Sequence, residues 1–513
     1  MDKSSTYDVI VVGAGPGGLA TAMQLAGAGA KVALVEKAER PGGRMKNLRF
    51  DGYTCDTGPS ILQGPQVLGE VFHRAGLRLA EHVDLLPVDP MFRMIFWDGS
   101  KVVMPRDNGA AERAREALKP GAGAGYRAYM EEHRRKYEVA YAGFIRAPAD
   151  SLLGYYSLPK LLKAAPFRPW QNLFRNLDGF FGDERLNYAF SYPSKYLGLT
   201  PHTCSSVFSV IPYLEQAFGV WHPRGGFGEL SATMLRCVQQ LGGDCFLGQP
   251  VTAIRVKDGR AAGVALADGT ELSAPEVVVN ADFAWAQRLL PAEARRTWTD
   301  TKVEKLKFSC STFMMYLGLD VELPLEHHVI YLSDHVRKGR ERYSQDEELD
   351  WEDPPFYLCN PGATDQGFAP AGHSAIYVLV PTPNLKDGTD WAKEQERYYE
   401  KMLAHVGRVL GLGDLAPHVR ARRLHTAQTW EEEYNVRHGA VFNLAHSFDQ
   451  LGPLRPRSRS EDVAGLHWVG GGTHPGSGLI TIFENALQVA DRICGPKLPP
   501  LKPLPDESLL PVG

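Results

Sequence analysis

The sequence predicts an α/β protein of two lobes, one built on a parallel sheet assembled from separated stretches, the other an inserted α+β region. Three observations predict it. A β-branched run near the N-terminus breaks into glycines and then a helical stretch. A second glycine-dense loop runs into a helical stretch near the C-terminus. Between them, hairpins and apolar strands alternate with charged helical segments.

The first stretch is the most explicit. Tyr7 to Val12 reads as a buried parallel strand that ends in Gly13-Ala14-Gly15-Pro16-Gly17-Gly18. A helix over 19–29 follows, and a second strand over 31–35 ends in Glu36. This is a complete Rossmann-like βαβ unit. Gly13 permits the tight turn, Gly15 lets the backbone approach a pyrophosphate, and Gly18 lets helix and sheet pack closely. The helix N-terminus, reached through Pro16 and Gly17, offers N–H groups and a positive dipole end to phosphate. Glu36, with Lys37 beside it, stands where a carboxylate accepts hydrogen bonds from both ribose hydroxyls. A 2′-phosphate is repelled there, which disfavours an NADP-type ligand.

Pro41-Gly42-Gly43-Arg44 and then Asp56-Thr57-Gly58-Pro59-Ser60 supply two further turns. They resemble the second phosphate-and-flavin contact of glutathione-reductase-type FAD flavoproteins, the amine-oxidase and phytoene-desaturase branch above all. That resemblance implies FAD as the cofactor and an FAD-binding domain of the glutathione-reductase/amine-oxidase type.

Bulk properties bound the rest. A chain of 513 residues implies two or three domains, and 44% apolar with 23% charged residues is ordinary globular composition. A net charge of −4 gives no general attraction to nucleic acid, so no nucleic-acid partner is expected. Cys55, Cys204, Cys237, Cys245, Cys310, Cys359 and Cys494 form no CxxC or Cys/His ligand spacing, so reduced thiols, a cytoplasmic setting and no metal site are expected. Met1 to Thr6 is too short and polar for a secretory leader, and the charge-free run from Val9 to Ala30 reads as the βα unit rather than a membrane span.

Further along, 67–75 reads as a helix and 91–104 as a hairpin turning at Asp98-Gly99. Residues 106–146 favour helix and break at Pro120-Gly121. The stretch 151–177 has Lys160, Lys163, Arg168 and Arg175, no acidic residue, and interleaved Leu, Tyr, Phe and Trp. Two readings stay open for it: an interfacial segment that sinks apolar side chains among lipid headgroups, or a core-packing helix pair with a basic edge. A helix ends through Leu241 to Cys245; strands follow over 249–256 and 276–279, with a hairpin across Asp268-Gly269.

The string from Phe190 to Leu230, the Val251 strand, Asn280-Ala281-Asp282, the Thr312 to Leu319 strand, Val380-Pro381-Thr382-Pro383 and Gln450 with Arg455-Pro456 are similar, in that order, to the bacterial and fungal phytoene desaturase family. The C-terminal signature is the sharpest part. Leu466 to Val469 opens into Gly470-Gly471-Gly472-Thr473-His474-Pro475-Gly476-Ser477-Gly478-Leu479, then a helix over 480–493. His467 and Asn485 depart from that family's usual aromatic and small residues, which bears on the substrate rather than the cofactor.

The resemblance implies an FAD-dependent desaturase of a long isoprenoid, phytoene or a C30 analogue, in carotenoid biosynthesis, with hydride transfer to flavin N5. It implies oxygen or a quinone as electron acceptor and a cytoplasmic protein peripheral to the membrane through 151–177. A carotenoid cis–trans isomerase, an amine oxidase and a non-enzymatic isoprenoid carrier are the alternatives. Residues 1–85, 220–300 and 440–497 are expected to form the FAD-binding domain; 86–219 and 301–439 the substrate and membrane-associating domain; and 498–513 a proline-rich extended tail. The expected cofactor contacts are Gly13, Gly15, Pro16, Gly17, Gly18, Glu36, Lys37, Gly43, Arg44, Gly58, Pro59, Ser60, Val251, Gly470, Gly471, Gly472, His474, Gly478 and Leu479. No catalytic residue is assigned. His474, the pair His327-His328 and Glu431 to Glu433 are read as structural: a loop cap lining the cofactor site, a strand edge and a solvated face.

Overall fold

Two sheets organise the computed structural model, which describes residues 4–197, 199–338, 348–502 and 509. The first is five-stranded and wholly parallel, in the order Asp244–Phe246, Val32–Val35, Val9–Val12, Glu276–Val279, Leu466–Trp468. Val9–Val12 and Val32–Val35 are all valine, isoleucine, leucine and alanine because both faces of the sheet are covered. Val9, Val11, Val32 and Leu34 pack with the helices Pro16–Gly27, Phe227–Gln240 and Leu479–Cys494. Ile10, Val12, Ala33 and Val35 face the opposite way, onto Ile254, Val264 and Leu272 of a four-stranded sheet. Sequence reasoning took Asp244 and Cys245 as the close of a helix. They begin the edge strand instead, and the turn between the two elements is Leu241-Gly242-Gly243.

The second sheet has seven strands, in the order Val419–His425, Ser311–Leu319, Ser374–Thr382, Phe356–Cys359, His328–Leu332, Phe92–Phe96, Lys101–Met104. The last two form the hairpin expected at Asp98-Gly99, with Gly99 at φ 77°. One face carries Phe313, Met315, Leu317, Ile376 and Val378 against the helix Trp391–Leu410. The alternate residues Thr312, Met314, Tyr377 and Leu379 face a cavity. His328 lies in an interior strand, paired on both sides, so the expected strand edge at His327-His328 is corrected.

The helical insertion starts with Asn108–Leu118 and Ala122–Ala140, separated at Gly121 (φ 90°). Within 151–177 the chain forms Leu152–Tyr155, Leu158–Ala164 and the start of Leu173–Phe181. The middle helix buries no residue at all. Beyond Cys494 the tail folds back on the Pro65–Arg74 helix rather than extending away: Arg74 Nε donates to the Pro499 carbonyl at 2.8 Å and Lys502 N to Glu70 at 2.7 Å. Positions 503–508 and 510–513 lie outside the described residues.

Candidate active site

The two lobes enclose a cavity of about 640 Å³. Its floor begins where Val12 turns at Gly13, whose N–H donates to the Val35 carbonyl at 2.7 Å and whose φ is 97°. Gly15 is then the N-cap of the Pro16–Gly27 helix, and no side chain caps the exposed N–H groups. Glu36, buried at the wall, accepts from Ala14 N at 2.7 Å and Ala38 N at 2.9 Å. A carboxylate has about four lone-pair positions, so acceptor capacity is left for a ligand in the cavity.

The second floor element is the Leu479–Cys494 helix. Its N-cap is Gly478, at φ 111°, again without a side-chain cap. Asn280 joins the two glycine loops: its N–H donates to the Val12 carbonyl at 2.7 Å and its side-chain amide to the Val469 carbonyl at 2.8 Å. Asn280 Oδ1 is buried without a hydrogen-bond partner among the described residues. Arg455, fully buried, donates to the carbonyls of Gly471 (2.6 Å) and Thr473 (3.2 Å), and burial lowers its pKa to about 9. Asn485 Oδ1 accepts from Gly470 N at 3.0 Å. The two departures noted in sequence therefore have local jobs, since His467 is paired with Glu276 at 2.7 Å.

Of the expected contacts, Gly13, Gly15, Pro16, Glu36, Lys37, Gly43, Arg44, Gly58, Pro59, Ser60, Val251, Gly470, Gly471, Gly478 and Leu479 line this cavity. Gly17, Gly18, Gly472 and His474 do not. The three glycines are packing positions: a Cβ on Gly18 would stand 2.0 Å from the Gly13 carbonyl oxygen, on Gly17 2.6 Å from Val469, and on Gly472 2.6 Å from Phe283. His474 turns to the insertion, with Nε2 3.1 Å from the Ala147 carbonyl and its ring edge-on to Tyr155. Burial lowers its pKa to about 4.

The roof is the second sheet, with Met314, Leu332, Phe356 and Leu379 above the floor. Three tyrosines of this sheet hold the Asp56 to Ser60 turn: Tyr316 donates to Thr57 O (2.5 Å), Tyr377 to Gly58 O (3.3 Å), and Tyr357 OH lies 2.6 Å from Ser60 Oγ. Asp56 itself accepts from Phe227 N at 2.7 Å, and burial raises its pKa to about 7. Arg44, half-buried, donates to the Val441 carbonyl, and burial lowers its pKa against the opposing pull of Asp282. Lys37 Nζ donates to the Glu433 carbonyl at 2.7 Å, while Glu432 and Glu433 are exposed. Asn280, Arg455 and the three tyrosines were not foreseen as site residues. Asn280 and Arg455 stood in the sequence as points of resemblance without a role, and the tyrosines without any mark, because each acts on backbone or side chains that the fold brings to it.

Residues 16–494 match the model of the flavin containing amine oxidoreductases. The chain is 52% identical to an all-trans-zeta-carotene desaturase of Myxococcus xanthus, covering 98% of both chains. It is 38% identical to a 4,4′-diapophytoene desaturase (4,4′-diapolycopene-forming) of Methylomonas sp, covering 94% of both. Among solved structures it resembles an oxidoreductase from Methanosarcina mazei, with a TM-score of 0.62 at 17% identity over 94% of this chain and 99% of that one, which establishes the shared fold.

Proposed function

The chain belongs to the flavin containing amine oxidoreductase family, and from that premise we propose that it is an FAD-dependent desaturase of an acyclic carotenoid. One observation carries the reading: two helix N-termini without side-chain caps, at Gly15 and Gly478, open into one cavity whose other wall is an apolar sheet face. The residues present suit FAD. Backbone N–H groups after Gly13 and Gly15 would hold its pyrophosphate, Glu36 its ribose, Asn280 Oδ1 offers an acceptor beside them, and Arg44 and Gly43 border the second turn. When bound, FAD supplies the two-electron oxidant for removing two hydrogens from adjacent carbons.

The protein's own contribution is position and exclusion of water. A polyene offers no charged or hydrogen-bonding group, so Met314, Leu332, Phe356 and Leu379 would hold it by shape and burial. The Leu479 helix brings its positive end to the cavity, where negative charge is stabilised. We further propose the domain division 1–85, 220–300 and 440–497 against 86–219 and 301–439. In its support, all five parallel strands fall in the first set and all seven of the other sheet in the second.

Entry of so apolar a substrate would be served by 151–177. Leu152, Leu153, Leu158, Leu161, Leu162 and Trp170 are exposed there, Leu153 at 89% and Trp170 at 70%. Exposed Leu454 sits two residues from Gly452, where a Cβ would touch Tyr155. No helix among the described residues is long and apolar enough to cross a membrane. This points to insertion from one side, with Lys160, Lys163 and Arg175 at the headgroups; Arg168 is paired with Glu132 at 3.2 Å. Replacing Leu153 and Leu162 by Asp should abolish co-sedimentation with anionic liposomes, and unchanged binding removes the membrane role.

Expression in cells accumulating zeta-carotene or a C30 analogue tests the activity. New pigment absorbing at longer wavelength, with a yellow purified protein, is the expected result. Unchanged pigment and a colourless protein would overturn the proposal. Oxygen or a quinone as final acceptor is tested by following consumption of either during turnover.

A further inference from the structure

On the cavity-facing side of the second sheet, beside the Asp56 to Ser60 turn, lies a cluster that the desaturase reading does not use. His327, His328 and Cys359 are fully buried, and a ring nitrogen from each histidine and Cys359 Sγ lie within 4.8 Å of one another. Cys359 is directly across the antiparallel ladder from His328. In sequence, 31 positions separate the two (from the numbers 328 and 359), which is why no ligand spacing was visible.

The hydrogen bonds show which ring nitrogens are already engaged. His327 Nδ1 is held by Thr364 Oγ1 at 2.7 Å and His328 Nδ1 by Tyr357 OH at 2.7 Å. Both Nε2 atoms are buried without a hydrogen-bond partner among the described residues. A buried ring nitrogen left in this state is unfavourable, because it has given up water without gaining a partner. Two in one place call for an occupant.

We infer that His327 Nε2, His328 Nε2 and Cys359 Sγ form a binding site for a zinc-type divalent cation. One nitrogen of each histidine is free for the metal while the other is fixed by a hydroxyl, the arrangement in which metal-binding imidazoles are usually held. A His₂Cys set suits zinc, whose bonds of about 2.0 Å to nitrogen and about 2.3 Å to sulfur require the donors to close in by about 1 Å. A second cavity of about 300 Å³, lined by Asp89, Glu326, His327 and Thr364, provides a way in with two carboxylates along it. Burial keeps both imidazoles neutral, as ligation needs, and it raises the thiol's pKa, which a bound cation would reverse.

The consequence reaches the cofactor cavity. With Nε2 on a metal, His328 must carry its proton on Nδ1 and donate it to Tyr357 OH, which then donates to Ser60 Oγ. The cation would thus be a fastener setting the direction of the chain of hydrogen bonds that holds the Asp56 to Ser60 turn.

The test uses chelator-dialysed, flavin-loaded full-length protein, titrated with Zn²⁺ and, separately, Co²⁺. One equivalent retained through gel filtration is expected, and Co²⁺ should produce a thiolate charge-transfer band that C359S lacks. Thr364→Val, at a half-buried hydroxyl that touches no metal, should weaken Zn²⁺ binding about 10–100-fold in a chelator competition. Flavin content and circular dichroism report folding, and if C359S does not fold, Thr364→Val decides. No stoichiometric uptake by the wild type, or wild-type Zn²⁺ affinity in Thr364→Val, would overturn the site.

Discussion

The floor and the roof of the cavity are built by opposite means. The floor uses backbone: Gly13 and Gly478 turn the chain through positive φ, and the helix ends at Gly15 and Gly478 are left bare. The roof uses side chains, with Tyr316, Tyr357 and Tyr377 from three strands reaching across to the Thr57 to Ser60 turn. The difference teaches where tolerance lies. A backbone site fails when a Cβ is added, whereas a side-chain site fails when a hydroxyl is taken away.

The largest effect should come from the floor. Gly18→Val places a Cβ about where the Gly13 carbonyl oxygen stands, 2.0 Å from it, and neither backbone can move aside. Overpacking commonly costs about 1–3 kcal/mol, and a backbone clash falls at the upper end or beyond. The purified variant should lose most of its bound flavin, read as the ratio of visible to protein absorbance. Full flavin content would break the contrast.

Next is the roof. Tyr357→Phe removes the hydroxyl between Ser60 Oγ and His328 Nδ1 and leaves buried polar atoms unpaired, a loss of about 1–3 kcal/mol. Urea unfolding should show that loss while flavin is retained. Unchanged stability would mean that the turn is held by Tyr316 and Tyr377 alone.

The third effect is read as a change with pH rather than as a fixed loss, and it belongs to the seam between the turn after Ser60 and the helical insertion. Gln63 Nε2 donates to Glu215 at 2.5 Å, and burial raises the Glu215 pKa to about 8 from 4.5. Its folded value is the higher one. Its contribution to stability is therefore complete below pH 4.5 and is lost as pH rises through about 8. Glu215→Gln keeps the accepting oxygen and removes the titration. The variant should gain on the wild type between pH 5 and 8, by up to about 1.4 kcal/mol per pH unit, with little change above that. Denaturation midpoints at three pH values read it, and a constant difference between the two proteins would count against a neutral Glu215.

What was legible in the sequence follows the same division. The strand over 9–12, the glycine loops and the hairpin at Asp98-Gly99 announce themselves because turn chemistry and β-branched runs act within a few residues. Asp244–Phe246 was not legible as a strand: three residues carry no period, and only pairing with Val32–Val35 makes them one. Asn280 and Arg455 stood in the sequence as points of family resemblance with no role attached, although one ties two loops together and the other fills with hydrogen bonds a space that five backbone carbonyls share. His474 drew attention through its motif, yet the side chain leaves the cavity for Ala147. The basic, aromatic stretch 151–177 left two readings open; the exposure of Leu153 and Leu162 speaks against core packing there, and the membrane reading rests on the liposome test.

By itself the sequence determined the backbone chemistry: where the chain turns, which helix ends stay uncapped, and which acid closes the second strand, because each depends on residue types a few positions apart. Only the tertiary structure decided which side chains meet. Tyr357 with Ser60, and His328 with Cys359, become neighbours through strand register, and register is set by the packing of whole sheets rather than by any local signal.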